Sequence, residues 1–455
     1  MAHPHVFRSH VLHRNLASEP LKVVSGHGIR YELESGKKII DGSCGPSVSV
    51  IGHGHAEVKQ AIIKQLDTIQ YVYSGSSLTS EPAEALASFL LEDRPGGLSK
   101  AIFVNSGSEA TDAMLKLVRQ YWHEKKEPQR KFIISRKQSY HGNTIGALCV
   151  SGHDARRGLY SEWLSTNVVF VDPCYAFRMK KEGQTDEEYV EALRQQLEDT
   201  FERLGPHNVA GFMAETLSGT VLGCVPAVAG YFKMVREVCD KYGALLLLDE
   251  IICGMGKTGT MHAWEQEDMR GPDVQTIGKA LGAGFVPLSG VLVHDDVFQT
   301  LARGSKTLAH GHTFQAHPLA CAAALQVQKI INRDGLVDNV RRQGQVLERL
   351  LRTHIAPLAH VANVRGRGLY WAVELMRDPV AKQPFSSEEN FCGRVVDAAM
   401  DLGLNVLGNL GPSGEVHVDH VMLAPPYIVE EADLEEMVAL LRAAIQQVSL
   451  SSEQP

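Results

Sequence analysis

Residues 244–248 read Ala-Leu-Leu-Leu-Leu, a segment of strand length with no polar face, which can be satisfied only between two apolar layers. That requirement selects a sheet covered on both sides. The run ends on Asp249-Glu250, and the carboxyl ends of strands in open α/β sheets are where such folds bind ligands. Further apolar segments at 101–104, 131–135, 168–171, 209–214 and 291–293 alternate with helix-patterned stretches at 108–121, 186–204, 230–242 and 317–333. The alternation predicts βαβ units and a mostly parallel sheet. Residues 178–186 read as a charged, solvated loop. A chain of 455 residues exceeds the size that one core serves, so two domains are expected. Residues 1–55 form an N-terminal arm contributing to a small domain, 56–315 a large domain, and 316–455 the rest of the small domain.

A net charge of −8 argues against nucleic acid or an anionic membrane as the partner. The eight cysteines are scattered without a Cys-x-x-Cys pair and read as reduced core thiols. No apolar run is long enough to span a bilayer. Residues 1–18 contain Arg8 and Arg14 but no acid, yet a mitochondrial presequence would be richer in arginine and serine. A packed arm and a cytoplasmic location are the expectation.

Several residues can be given a task around one phosphorylated, flat cofactor. Asn105-Ser106-Gly107-Ser108 is a turn between a strand and a helix, and free N–H groups at a helix N-terminus favour a phosphate. The missing Cβ of Gly107 lets the backbone approach, although an ordinary helix cap would read the same. Tyr140 and His141 follow a second strand, where Tyr140 could stack on a heteroaromatic ring. Glu215 ends another strand. Asp249 could pair with a protonated ring nitrogen, with Ile251 pressing on the ring face. Lys279, in Ile-Gly-Lys-Ala-Leu-Gly-Ala-Gly, supplies an amine, and Thr313 a hydroxyl for the phosphate. Gly256-Lys257-Thr258 imitates the end of a P-loop, but Ile251 stands where that motif needs glycine. The histidines His310, His312 and His317 have no metal-site spacing, so no metal is expected.

The ordered segments NSGSEATDAMLK, SYHGNT, AETLSG, LLLLDEIICGMGKTG, IGKALGAG, GHTFQAHPLACAAAL and VRGRGL resemble the motifs of class III pyridoxal-phosphate-dependent aminotransferases. The resemblance implies fold-type I: a mostly parallel seven-stranded sheet in a large domain, plus a smaller α+β domain. It implies a homodimer with shared active sites, Thr313 reaching the phosphate held by the neighbouring subunit. It implies that Lys279 holds pyridoxal 5'-phosphate as a Schiff base and that Asp249 pairs with the pyridinium nitrogen. Tyr140 and Ile251 would flank the ring, and Gly107 and Ser108 would bind the phosphate, with His141 beside them. Glu215 would sit on the substrate side, paired with Arg365, and Tyr73 would contribute to the substrate pocket.

This chain departs from the pattern in several places. Thr216 replaces the usual proline after the glutamate, and Lys257 replaces arginine at what reads as a surface turn. Ile252 replaces the glutamine of ornithine- and GABA-type members, which points to the amine:pyruvate, or omega-aminotransferase, branch. The stretch 403–427 has no arginine to hold a keto-acid carboxylate, leaving His417 and His420 as substitutes. The expected reaction moves an amino group from a primary amine or omega-amino compound to a small keto acid such as pyruvate. A same-fold aminomutase or dialkylglycine-type decarboxylase remains open. A non-catalytic binding protein of this fold would lack Lys279 or Asp249.

Overall fold

The computed structural model describes residues 9–409 and 418–452. Its central sheet has seven strands: β1 (Leu98–Val104), β2 (Phe132–Arg136), β3 (Val168–Val171), β4 (Val209–Glu215), β5 (Leu245–Asp249), β6 (Val274–Ile277) and β7 (Ser289–His294). They lie in the order β1-β7-β6-β5-β4-β2-β3, and β7 runs antiparallel to both neighbours while the other pairings are parallel.

The apolar run of β5 serves two cores at once. Leu246 and Leu248 pack with residues of helices α2 (Asp186–Leu204) and α3 (Tyr231–Tyr242), among them Leu197, Phe201, Phe232 and Val235. Leu245 and Leu247 pack on the opposite face with Met114 and Leu117 of α1 (Gly107–Glu124). The period-two alternation of a strand thus gives each layer its own leucines. Asp249 shares parity with Leu245 and Leu247, so its side chain emerges on the α1 face.

Strand β6 was not expected from the sequence. It has four residues, and its centre is polar, Gln275-Thr276, although all four are buried. Tertiary hydrogen bonds compensate for that polarity: Trp264 Nε1 donates to Gln275 Oε1 at 2.9 Å and Thr276 Oγ1 to Asp249 Oδ1 at 3.1 Å.

Outside the central sheet, strands Val23–His27, Arg30–Leu33 and Lys38–Asp41 are joined by Leu404–Asn405, so distant parts of the chain share one sheet. A further sheet contains β8 (Val361–Arg367), β9 (Tyr370–Leu375), β10 (Asp419–Leu423) and the short strand Leu407–Gly408. Helices α4 (Pro318–Arg333) and α5 (Glu431–Ser452) share the largest core with Val58, Leu86 and Leu98. All eight cysteines are buried and unpaired, as expected of core thiols.

Three local expectations are corrected. Residues 10–21, expected to pack on the body, are largely exposed in the single chain, with Leu12 87% and Leu16 58% exposed. Arg178 is not in a solvated loop; it lies within a short helical turn, Ala176–Met179, and ion-pairs with buried Glu374. Lys257 is not at a surface turn. It is fully buried, and its ammonium donates to Ala424 O at 2.9 Å and Pro425 O at 2.8 Å beside the Tyr427 ring. Those carbonyls make a lysine tolerable where no carboxylate is at hand.

Burial pulls Lys257 down to about 8. Above that pH the unfolded chain holds a proton that the folded protein has released, so this group's contribution to stability rises with pH. Chemical denaturation from about pH 7 to about pH 10 should therefore show the parent gaining stability relative to Lys257→Met. A pH-independent difference between the two would exclude the effect.

Candidate active site

At the carboxyl end of the sheet, register places Asp249 of β5 directly between Glu215 of β4 and Thr276 of β6. All three point to the α1 face. Asp249 is 5% exposed and fully engaged. His141 Nδ1 lies 2.8 Å from Oδ2, while Oδ1 accepts from Ile251 N at 3.0 Å and from Thr276 Oγ1. With Asp249 ionised, Nδ1 of His141 carries the proton in that contact. Burial pushes the Asp249 carboxyl up, but the His141 contact, the Ile251 N–H and the nearby Lys279 together hold it below its usual range. It is therefore an anion at neutral pH, kept so by its surroundings.

Glu215 is held differently. Its Oε1 accepts from Tyr140 N at 3.1 Å and its Oε2 from Gly219 N at 2.7 Å. Burial, with Asp249 adding to it, raises its pKa. Lys279 follows β6 and Gly278 in a left-handed backbone conformation, φ +44°. That geometry is costly for a residue with a side chain and is typical of functional positions. Its amine faces the two carboxylates. Burial lowers its pKa, and the attraction of Asp249 and Glu215 offsets only part of that fall. An ordinary lysine near ~10.4 would be a poor base at neutral pH, so the shift favours proton transfer.

One cavity is bounded by Gly107, Ser108, Tyr140, His141, Gly142, Glu215, Asp249, Ile251 and Lys279. It is built where α1 begins. Ser106 caps this helix by accepting from Glu109 N at 3.2 Å, which leaves the N–H groups of Gly107 and Ser108 directed at the cavity end. A Cβ at Gly107 would lie 3.2 Å from Ile251 Cγ2 and narrow the slot between them. Gly142, at φ +132°, passes so close to Ser108 that a Cβ would come within 2.9 Å of its Cα. Ser108 Oγ accepts from Asn143 N at 2.9 Å and keeps its own proton for donation.

A flat, phosphorylated pyridine aldehyde fits this arrangement. A helix N-terminus and a hydroxyl would meet the phosphate, a slot between Tyr140 and Ile251 would take the ring, and Asp249 and Lys279 would offer it an anion and an amine. Sequence reasoning missed Thr276, Leu217, Cys253 and Ser289, all of which bear on the cavity or on Asp249. Only the position of Thr276 at a strand end could have flagged it, and that strand was itself unseen.

Other expected residues lie elsewhere. Thr313 and Tyr73 are exposed and do not line this cavity in their own subunit. Tyr71, two residues before Tyr73, donates to Thr313 O at 2.9 Å, and Ser74 Oγ donates to Gln315 O at 2.9 Å, which joins the two segments on one surface. Arg365 is not paired with Glu215. Its guanidinium is buried against Glu374, with Nε donating to Gly223 O at 2.7 Å and Nη1 to Asn363 Oδ1 at 3.1 Å. The reason is local: Glu374 lies on the neighbouring strand opposite Asn363, diagonal to Arg365 and within its reach, whereas both Glu215 oxygens are already taken by N–H groups. Among the described residues no arginine lines the cavity. His417 lies outside the described residues. His420 is fully buried, pushed down to about 4 by burial, with Nδ1 near Val418 O, and cannot receive a carboxylate.

The family model for class III aminotransferases matches residues 12–445. An uncharacterized aminotransferase of Schizosaccharomyces pombe is 42% identical over 426 residues, covering 94% of this chain and 92% of that protein. The diaminobutyrate–2-oxoglutarate transaminase of Halomonas elongata is 33% identical, covering 94% of this chain and 90% of its own. Among solved structures, a thermostable (S)-enantioselective omega-transaminase from Thermomicrobium roseum superposes with a TM-score of 0.90 at 33% identity, over 97% of this chain and 96% of that one. This chain belongs to the class III aminotransferases. It is a pyridoxal-phosphate-dependent enzyme that transfers amino groups.

Among the described residues no helix is long and apolar enough to cross a membrane.

Proposed function

We propose that the protein moves an amino group from a primary amine or omega-amino compound to a small keto acid such as pyruvate. The observation that carries the donor half of this reading is the cavity wall beside Lys279; pyruvate as acceptor rests on Ile252 and the likeness to omega-transaminases. The wall includes Leu217, Ile251, Ile252 and Cys253 with the carboxylates of Glu215 and Asp249, and no arginine lines it among the described residues. A donor carrying a carboxylate there would meet a like charge and no cation. An apolar or uncharged amine meets neither penalty.

In this reading Lys279 Nζ takes the proton from the donor carbon, and Asp249 keeps the cofactor's ring nitrogen cationic. Gly107, Ser108 and the start of α1 bind the phosphate, while Tyr140 and Ile251 orient the ring. His141 acts through Asp249, which it holds ionised and in place. Bound pyridoxal phosphate supplies the electron sink for the charge left at the donor carbon.

We further propose a homodimer, located in the cytoplasm, in which Thr313 and Tyr73 complete the neighbouring subunit's site. Support comes from the surface they occupy, where Leu78, in a groove with Ser74 and Gln315, and Phe314, beside Tyr71, are 63% and 55% exposed. Apolar surface of this kind calls for a partner.

The test is a pair of half-reactions followed by the visible absorbance of the bound cofactor. A simple primary amine should bleach that band and pyruvate should restore it. Recovery with 2-oxoglutarate but not with pyruvate would replace the acceptor. Bleaching by α-amino acids alone would replace the donor.

A further inference from the structure

Residues 217–226 form a hairpin whose strands, Leu217–Ser218 and Val225–Pro226, pair antiparallel. Its near end is fixed inside the cavity, where Gly219 N donates to Glu215 Oε2. Its tip is fixed outside it. Arg365 bridges two successive carbonyls there, Nε donating to Gly223 O and Nη2 to Leu222 O. The two ends are coupled, because Gly223 N and Cys224 N both donate to Gly219 O, at 2.9 and 3.2 Å.

The tip does not hold this shape by itself. Gly223 and Cys224 have φ of +77° and +49°, and the second of these is unfavourable for a residue with a side chain. A Cβ at Gly223 would come within 2.7 Å of the His420 ring on β10, so the tip is pressed against that sheet.

Glu374 supplies the anchor. It is completely buried and accepts from Arg365 Nη1, from Arg178 through Nε at 2.7 Å and through Nη2, and from Tyr175 OH. Without it, two buried guanidinium groups would lack their anion, a costly state that the structure would relieve by moving Arg365. Nothing in this cluster touches the cavity.

We propose that Arg365 and Glu374 are positioning residues for donor recognition: they fix the hairpin tip and, through the Gly219 N–H, the orientation in which Glu215 presents its carboxylate to the donor. The inference rests on the reading of Glu215 as a substrate-side group.

A double-mutant cycle with the holoenzyme tests it. Glu374→Gln should raise KM for a primary amine about tenfold, the scale of one lost hydrogen bond to a charged group, with kcat, cofactor affinity and pyruvate KM within about twofold. Glu215→Gln should raise donor KM similarly, and the double variant should add nothing further. Should Glu374→Gln fail to fold, Arg365→Lys serves. It retains a positive charge facing Glu374 but cannot bridge both carbonyls, and it should give the same donor-specific rise.

If Glu215→Gln raises donor KM but Glu374→Gln and Arg365→Lys do not, the clamp is refuted and the role of Glu215 stands. If Glu374→Gln acts while Glu215→Gln is silent, or if the two effects add, the clamp does not work through Glu215 and the proposal fails. If neither substitution acts, both readings fall. Equal damage to both half-reactions, or to cofactor affinity, would show a structural role only.

Discussion

Lys279→Ala is expected to abolish multiple turnover while leaving a folded protein that still binds pyridoxal phosphate. The residues proposed to hold the phosphate (Gly107, Ser108 and the start of α1) and the ring (Tyr140 and Ile251) do not depend on the lysine. What disappears is the amine facing Asp249 and Glu215, whose pKa burial lowers toward the range useful for a base. Positioned proton transfer alone is typically worth ~10²–10⁴ in rate, and the covalent hold on the cofactor is lost as well. Single-turnover absorbance and equilibrium dialysis separate the two effects. Turnover within tenfold of the parent would remove Lys279 from the chemistry.

Asp249→Asn carries the second largest effect. An amide can keep the Thr276 and Ile251 contacts in part, so the fold and the phosphate contacts should survive. The ring nitrogen, however, loses the anion that keeps it protonated, and His141 faces a neutral partner. A nearby carboxylate shifts such a group by about one to three pKa units. Turnover should fall by about 10²-fold or more, about 2.7 kcal/mol of barrier, with cofactor affinity changed much less. Near-normal kcat would reduce Asp249 to a strand cap.

The sequence made the chemistry more legible than the connections. An all-apolar run ending in an acid, and a lysine among glycines and alanines, are patterns whose physical demands are nearly unique, and the structure brings Asp249, Glu215 and Lys279 to one cavity. Arg365 shows where such reading stops. A motif marks the residue type at a position but not its partner, and the decisive partner, Glu374, sits nine residues away on the facing strand. Strand β6 is not legible in the sequence because its polar centre is satisfied by tertiary contacts with Trp264, Glu250, His262 and Asp249, which no local pattern records. Lys257 looked exposed for the converse reason: glycines around it suggest a turn, while its burial depends on carbonyls some 167 residues further along the chain.

Borohydride reduction of the cofactor-loaded protein, followed by peptide mapping, addresses the central claim most directly. The reduced cofactor should appear on the peptide carrying Lys279 and on no other. Finding it on Lys257, the other lysine whose pKa burial lowers, or on any further lysine, would contradict the assignment of the site.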